Sequence, residues 1–325
     1  MKSIIGIDIS SKTLDICVKM NSKTEYYSIE NQQSTIKAFF KRYQGDQEVI
    51  VAMENTGRYN WNLLEVLPNF SFRVYVISPL HLKRSLGLIR GKNDKIDALR
   101  ICSYIEKNHA ETTLWKPAGT AVKQIKVLLT ERSSRVRMKS QLLKQQHDCK
   151  LMKSISLDKE LLRMNKKLIE ALERQIKEIE ARIEAAVQED DQLKKQAQLI
   201  RSVPGVGKVL SWMILAKTEG FNIINNPRKM ACYCGVVPFD CQSGTSLRTK
   251  PRVSLYADKS MKSVLHLAAM SAIRLNNDLR GYYRRKVEEG KNKMAVLNAV
   301  RNKIIHRIFA VIKNQTTYVN DLVLS

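Results

Sequence analysis

The stretch Ile4-Ile5-Gly6-Ile7-Asp8-Ile9 is an apolar run that carries one carboxylate near its end. A short apolar run followed by turn residues predicts a buried strand. Residues 13–18 alternate after the turn, so the chain is predicted to open with a β-hairpin. Residues 49–53 form a second apolar run, typical of a parallel strand covered on both faces, which delivers Glu54 at its carboxyl end.

Strands and helices alternate through the rest of this N-terminal region. The pattern predicts a third strand near residues 26–29, helices over residues 33–44 and 59–67, and a strand over residues 73–77. A hairpin followed by alternating helix and strand indicates a mixed α/β sheet. Sites in such sheets form at the carboxyl ends of strands, where Asp8 and Glu54 are both expected.

Two more carboxylates, Asp94 and Asp97, follow in the run Gly91-Lys92-Asn93-Asp94-Lys95-Ile96-Asp97-Ala98. A helical pattern starts there, so both acids should lie on one face of the first helical turn. Acids in a first turn also suit the helix dipole, so simple capping is the alternative interpretation. The neighbouring cations Arg90 and Lys92 are candidate contacts to nucleic acid.

The four acids Asp8, Glu54, Asp94 and Asp97 cannot all stay ionised in one confined site unless cations neutralise them. Hard divalent metals, Mg²⁺ or Mn²⁺, are the natural occupants of an all-oxygen site. Two such ions about 4 Å apart can stabilise the attacking and leaving oxygens of a phosphodiester. Actin-like ATPases also begin with a similar hairpin, but they need a later glycine-rich phosphate loop, and the thirteen glycines form none.

Composition limits the class of protein. The 325 residues are enough for two or three domains, and no apolar run approaches a membrane span. A formal charge of +25 predicts a polyanionic partner, of which nucleic acid is the obvious one and an anionic membrane the less favoured one. The six cysteines form no Cys-x-x-Cys pair, and the first residues lack a signal-peptide layout, so we expect a cytoplasmic protein associated with a prokaryotic nucleoid.

Residues 122–198 contain neither glycine nor proline and are predicted to be helical. The first half is basic, and Arg135 and Lys139 are candidate nucleic-acid contacts. The second half carries an apolar stripe that a coiled coil between subunits would bury, although packing against the chain's own domains would bury it equally well. We therefore expect domains at residues 1–115, 116–200 and 201–325, with the middle one a helical arm that forms a dimer or tetramer.

Three features of the C-terminal region suggest contacts with nucleic acid. Gly205 and Gly207 lie in a Pro-Gly-x-Gly turn like that of helix-hairpin-helix modules, whose backbone N–H groups hold phosphate, although a plain interdomain turn would use the same residues. The run Ser243-Gly244-Thr245-Ser246 is either a solvent-exposed loop or the site of a serine nucleophile. Cations on or near these features are candidate phosphate ligands: Arg248, Lys250, Arg252, Arg284 and Arg285.

The ordered set of motifs resembles the insertion sequence 110 family of transposases, which includes the pilin-gene invertases. The resemblance covers most of the chain and depends on five motifs: Gly6-Ile7-Asp8, Glu54-x-Thr56-Gly57, Lys92-x-Asp94-x-x-Asp97-Ala98, Pro204-Gly205-x-Gly207 and Ser243-Gly244-Thr245-Ser246. It implies a RuvC-like, ribonuclease-H-like mixed sheet domain, a long helical arm and a mainly helical C-terminal domain, that is, an α/β plus all-α chain.

The resemblance also implies a mechanism. The acidic tetrad would match Asp8, Glu54, Asp94 and Asp97, and the essential serine would match Ser243. Such enzymes are expected to cut and rejoin double-stranded donor and target DNA through a covalent serine–DNA intermediate, guided by a non-coding RNA from the element. Two alternatives stay open: a RuvC-like metal-dependent DNA endonuclease without serine chemistry, and a non-catalytic nucleic-acid-binding scaffold.

Overall fold

A five-stranded mixed sheet forms the centre of the N-terminal part of the chain. The computed structural model describes residues 2–20, 23–45, 48–85, 93–151, 158–243 and 247–319, without the side chains of residues 149–151, 158 and 240–250. The strands occur in the order β3-β2-β1-β4-β5. Their bounds are β1 Lys2–Ile9, β2 Thr13–Met20, β3 Lys23–Glu30, β4 Glu48–Glu54 and β5 Arg73–Ile77.

The sheet combines an antiparallel meander of β1, β2 and β3 with two parallel pairings. β1 pairs antiparallel with β2 and parallel with β4, and β4 pairs parallel with β5. Strand alternation sends one set of side chains, including Ile7 and Met53, into a core with the helix α1 (Gln33–Lys41). The other set, including Ile50 and Ala52, packs against α4 (Asp94–Asn108).

The helix α4 lies directly on strand β1 at Gly6. A β-carbon built on Gly6 would lie 2.5 Å from the Ala98 carbonyl oxygen and 2.7 Å from the Cys102 β-carbon. No side chain fits in that space, so glycine allows the helix backbone to contact the strand backbone. This contact fixes the height of α4 above the sheet.

Two long helices, α5 (Thr120–Leu151) and α6 (Asp158–Glu189), form an antiparallel hairpin. Ion pairs join them at successive levels: Arg132 Nε lies 2.7 Å from Glu180 Oε1, and Lys139 Nζ lies 2.7 Å from Glu173 Oε1. The base of the hairpin contributes Ile125 and Ile183 to the core of the C-terminal part.

The described residues of the C-terminal part are helical apart from one antiparallel pair of strands. The core is centred on Trp212 and on the apolar face of the last helix. The further elements of this part are α7 Asp191–Ser202, α8 Lys208–Thr218, α9 Pro227–Tyr233, β6 Pro238–Ser243, β7 Leu247–Val253, α10 Lys259–Ala272, α11 Asp278–Glu288 and α12 Lys293–Asn314. The N-terminal part has two further short helices, α2 Trp61–Val66 and α3 Pro79–Ser85.

The structure confirms the mixed α/β sheet and the mostly helical remainder. The predicted helix over residues 59–67 is wrong in detail, because α2 covers only six residues between two 3₁₀ turns, the second of which contains Pro68. Ser243 ends a strand instead of lying within a loop. Contacts divide the chain into two compact units, residues 1–117 and 118–325, and the three-domain division stays a prediction.

Candidate functional site

Asp8 and Glu54 lie side by side at the carboxyl ends of two parallel strands. The last parallel pair between β1 and β4 joins Ile7 to Met53, so the next position on each strand is one of the two acids. Residues two positions earlier on the strands pack against α4, so alternation places both carboxylates on the α4 face of the sheet.

The other two acids lie in the first turn of α4. Asn93 caps this helix, since its side-chain oxygen accepts a hydrogen bond from the Lys95 backbone N–H at 3.1 Å. The helix therefore has its own cap, and the carboxylates of Asp94 and Asp97 are not needed for that purpose. Asp97 accepts an ion-paired hydrogen bond of 2.7 Å from Arg100 Nη1.

The electrostatics of Asp8 show that the other three acids lie close enough to act on it. Burial and, to a smaller extent, the negative charges of Asp97, Asp94 and Glu54 together raise the pKa of Asp8 to about 6. A hydrogen bond from the Ile9 backbone N–H, 3.0 Å from Asp8 Oδ1, opposes the increase. The sheet edge thus brings together four carboxylates, and the Arg100 guanidinium pairs with one of them, Asp97.

The donor set suits a hard divalent cation. All four side chains offer carboxylate oxygens, the ligands that Mg²⁺ and Mn²⁺ prefer. Within the described ranges, no group of three or more His, Cys, Asp or Glu side chains is already arranged around one metal position. The acids fit the ion by their chemistry, and their mutual repulsion is what a bound cation would relieve.

Sequence reasoning missed three residues close to these acids. Asp15 is the antiparallel partner of Asp8 and is half-buried, so a fifth carboxylate lies on the same sheet face. The alternation of β2 could have identified it. Asn31 and Asn60 are buried beside the strand ends. The hydrogen bonds of Asn31 reach distant segments and leave no signal in the local sequence, whereas Asn60 bonds to Glu54, six residues earlier.

Ser243 belongs to the second unit, at the end of β6, where it pairs with Leu247 of β7. The side chains of Ser243, Arg248 and Lys250 lie outside the described part, whereas Arg252 is exposed on β7. The other hydroxyls of the run, at residues 245 and 246, also lie outside it.

Asp258 lies between β7 and α10, where the chain rejoins the helical core. This carboxylate caps α10 by accepting hydrogen bonds from the backbone N–H groups of Ser260 and Met261, at 2.9 and 3.0 Å. Its other oxygen lies 2.9 Å from Lys217 Nζ and 3.2 Å from the Tyr233 hydroxyl. Burial would raise the pKa of Asp258, but these hydrogen bonds and the lysine charge hold it well below its usual range.

The candidate nucleic-acid contacts differ in their surroundings. Arg135 and Lys139 of α5 are both engaged with acids of the helical hairpin, Glu131 and Glu173 respectively. Arg284 and Arg285 are exposed on α11. Arg90 and Lys92 lie outside the described residues. All of these roles stay predictions.

The Pro-Gly-x-Gly turn lies between α7 and α8. Gly205 has φ +81°, and a β-carbon there would lie 2.8 Å from the Ala272 β-carbon of α10, so packing alone requires glycine. Gly207 has open space around it and precedes the first turn of α8. The proposed contact with phosphate stays a prediction for both glycines.

Comparisons with known proteins cover both units of the chain. Residues 5–155 match a transposase family model of the DEDD type, and residues 197–284 match the model described as "Transposase IS116/IS110/IS902 family". The pilin gene-inverting proteins of Moraxella bovis and Moraxella lacunata are each 25% identical, over 98% of both chains. An uncharacterized 42 kDa protein of insertion element IS900 from Mycobacterium paratuberculosis is 28% identical over 42% of this chain and 34% of its own length.

Proposed function

Since the chain belongs to the IS116/IS110/IS902 family of transposases and is a DNA transposase or site-specific recombinase, we propose that it cuts and rejoins DNA through Ser243 and its acidic tetrad. The observation that carries the proposal is the convergence of Asp8, Glu54, Asp94 and Asp97 on one sheet edge. Both relatives that align over nearly the whole chain are named for inverting a gene, a reaction in which cut ends are resealed.

The tetrad is proposed to hold divalent cations at the scissile phosphate. The match to a DEDD transposase model suggests dependence on a divalent metal, which we propose to be Mg²⁺ or Mn²⁺. When bound, the ions would supply positive charge to stabilise phosphoryl oxygens. Asp8 and Glu54 would provide fixed ligands from the sheet, and the two aspartates of α4 would complete the set.

The serine is proposed to conserve the energy of the phosphodiester. The Ser243 oxygen would form a new bond to phosphorus while the bond to the departing strand oxygen breaks, and that oxygen would take up the proton that the serine loses. The number of phosphoester bonds is unchanged, so a second strand can reverse the step without a nucleotide cofactor. Arg248, Lys250 and Arg252 would neutralise the phosphate during the exchange.

The partners of the proposed reaction are double-stranded donor and target DNA and a non-coding guide RNA. The charge of +25 supports binding to a polyanion but does not distinguish RNA from DNA. The hairpin of α5 and α6 exposes apolar side chains such as Leu143 and Leu168, which supports a helical arm that joins subunits into a dimer or tetramer. No helix in the described part of the chain has the length and apolarity to cross a membrane.

The alternative function is a metal-dependent DNA endonuclease in which Ser243 has no covalent role. The four acids at one sheet edge suit a metal site in this alternative as well, so they support it equally. A non-catalytic scaffold would not need four acids at one sheet edge, so we place it below both enzyme functions.

The covalent step can be tested with Ser243→Ala and end-labelled DNA that carries the termini of the element. The wild-type chain should form a labelled protein–DNA adduct that survives a denaturing gel, and Ser243→Ala should form none. Thr245→Ala is the control, because its hydroxyl lies in the same run. An adduct that persists in Ser243→Ala, or cleavage without any adduct in the wild type, would favour the endonuclease.

A further inference from the structure

Two buried asparagines connect the strand ends that carry Asp8 and Glu54. Asn31 is 8% exposed and Asn60 is 1% exposed, although both have fully polar side chains. Burying an amide is unfavourable unless it is hydrogen-bonded, so the partners of these two side chains indicate what they do.

Asn60 holds the turn that follows β4. Its side-chain N–H group donates to the Glu54 carbonyl oxygen at 3.0 Å. Its side-chain oxygen accepts a hydrogen bond from the Thr56 backbone N–H at 3.2 Å and another from the Thr56 hydroxyl. The backbone of Glu54 is thereby tied to the 3₁₀ turn at residues 57–60, and this contact fixes the position of the Glu54 α- and β-carbons.

Asn31 holds the turn that follows β1 and joins it to the same 3₁₀ turn. Its side-chain N–H group donates to the carbonyl oxygens of Ser10 and Tyr59, at 3.0 and 3.1 Å. Its backbone N–H donates to the Lys12 carbonyl oxygen at 2.8 Å, and its own carbonyl accepts from Asn62 Nδ2 at 2.7 Å. Ser10 lies two residues after Asp8, and Tyr59 directly precedes Asn60 in the chain.

The two amides therefore complete a continuous path from the Asp8 turn to the Glu54 turn. It runs from Ser10 through Asn31, Tyr59 and Asn60 to Glu54, and its only covalent link is the peptide bond between Tyr59 and Asn60. Among the described residues, the Asn31 side-chain oxygen is buried without a hydrogen-bond partner. The stabilising contribution of this amide therefore comes from the two hydrogen bonds that its N–H groups donate.

We propose that Asn31 and Asn60 are positioning residues that set the separation of the Asp8 and Glu54 carboxylates and so determine the affinity of the tetrad for its metal. This inference rests on the proposed metal-binding function of the tetrad. Groups that orient metal ligands by hydrogen bonds usually change metal affinity 10–100-fold when removed. We expect an effect near the lower end, about tenfold for each variant, because these hydrogen bonds act on the backbone and not on the carboxylates.

The test measures Mn²⁺ binding to the full-length chain by isothermal titration calorimetry, with Mn²⁺ alone as the probe. Asn31→Ala and Asn60→Ala should each weaken binding about tenfold. Asn69→Ala is the matched control, because Asn69 lies in the same unit and also donates one hydrogen bond to backbone, to the Val66 carbonyl oxygen at 2.9 Å. It should bind Mn²⁺ as the wild type does.

A second readout separates positioning from loss of fold. DNA cleavage by the two variants should need more Mg²⁺ for half-maximal rate and should recover at saturating Mg²⁺, which a misfolded chain would not do. Folding is checked by circular dichroism at each temperature used. If both alanine variants fail to fold, Mn²⁺ binding is measured on Thr56→Val instead, since this variant removes only the hydroxyl that contacts Asn60.

The outcomes distinguish the inference from its premise. If wild type and Asn69→Ala bind no Mn²⁺, the proposed metal function of the tetrad fails. If the wild type binds Mn²⁺ and folded Asn31→Ala and Asn60→Ala bind it equally tightly, the inference fails while the metal function stands. Weaker binding in these two variants, with Asn69→Ala unchanged, supports both.

Discussion

The link between Asp258 and Lys217 gives a prediction whose size follows from the structure. Asp258→Asn keeps the helix cap, because asparagine and aspartate cap equally well, but it removes the charge that lies 2.9 Å from Lys217 Nζ. A hydrogen bond between charged groups contributes about 1.5–3 kcal/mol when buried and an exposed pair less than about 1 kcal/mol. Because the lysine side chain is 40% exposed, we expect a loss of about 1 kcal/mol.

Calorimetry can detect that loss. A change of 1 kcal/mol lowers the Tm of a unit of about 200 residues by roughly 2–4 °C, and we expect this decrease in the transition of the C-terminal unit at pH 7. Asp190→Asn is the control, since Asp190 caps α7 by accepting a hydrogen bond from the Leu193 backbone N–H and has no cation within ion-pair distance in the described structure. It should change Tm by less than about 1 °C.

The pH dependence has a defined sign. The pKa of Asp258 lies below its ordinary value of 3.8 in the folded chain, so its stabilisation is present above pH 3.8 and is lost as the pH falls further. The pKa of Lys217 is raised above 10.5, so the same stabilisation is lost again at pH values above that. The Tm gap between wild type and Asp258→Asn should therefore be widest between pH 5 and 9, and a gap that is equal at pH 3 and pH 7 would refute the reasoning.

Three further predictions concern other parts of the chain. Asp97→Asn should abolish recombination in a plasmid assay. The circular dichroism spectrum should be unchanged, because Asn93 caps α4. Full activity would mean that Asp94 and Asp97 only stabilise the start of α4. Gly205→Ala should cost about 3 kcal/mol in urea unfolding because of its positive φ and the contact with α10, whereas Gly207→Ala should cost less than about 1 kcal/mol. Glu184→Gln should cost about 2 kcal/mol in the same assay, because Glu184 accepts two hydrogen bonds of 2.8 Å from Arg201. Glu173→Gln is the control and should leave the urea midpoint close to that of the wild type, because the Glu173 ion pair is exposed to solvent.

The sequence predicts the acid site because its signals are local. Apolar runs locate β1 and β4, and strand ends then place Asp8 and Glu54 at one sheet edge. Helical spacing places Asp94 and Asp97 on one turn. None of these inferences needs knowledge of which distant residues touch.

The parts that sequence reasoning missed depend on distant contacts or on weak local signals. The hairpin of β6 and β7 contains Pro238 and Pro251 and many polar residues, a composition that does not favour strands. The role of Asn31 depends on hydrogen bonds to Ser10 and Tyr59 in other segments, which no spacing within the sequence encodes. Asn60 contacts Glu54 and Thr56 nearby, but an asparagine after a turn is too common a pattern to identify that role.

The backbone contact at Gly6 limits how the acid site can move. Because no compressible side chain separates α4 from β1, the helix has no clearance to roll or slide without first lifting off the sheet. In the proposed reaction, this contact favours rotation of the carboxylate side chains over movement of α4 as the way in which Asp94 and Asp97 adjust. A methyl group added at residue 6 would act on Asp94 and Asp97 from a distance, by tilting the helix that carries them.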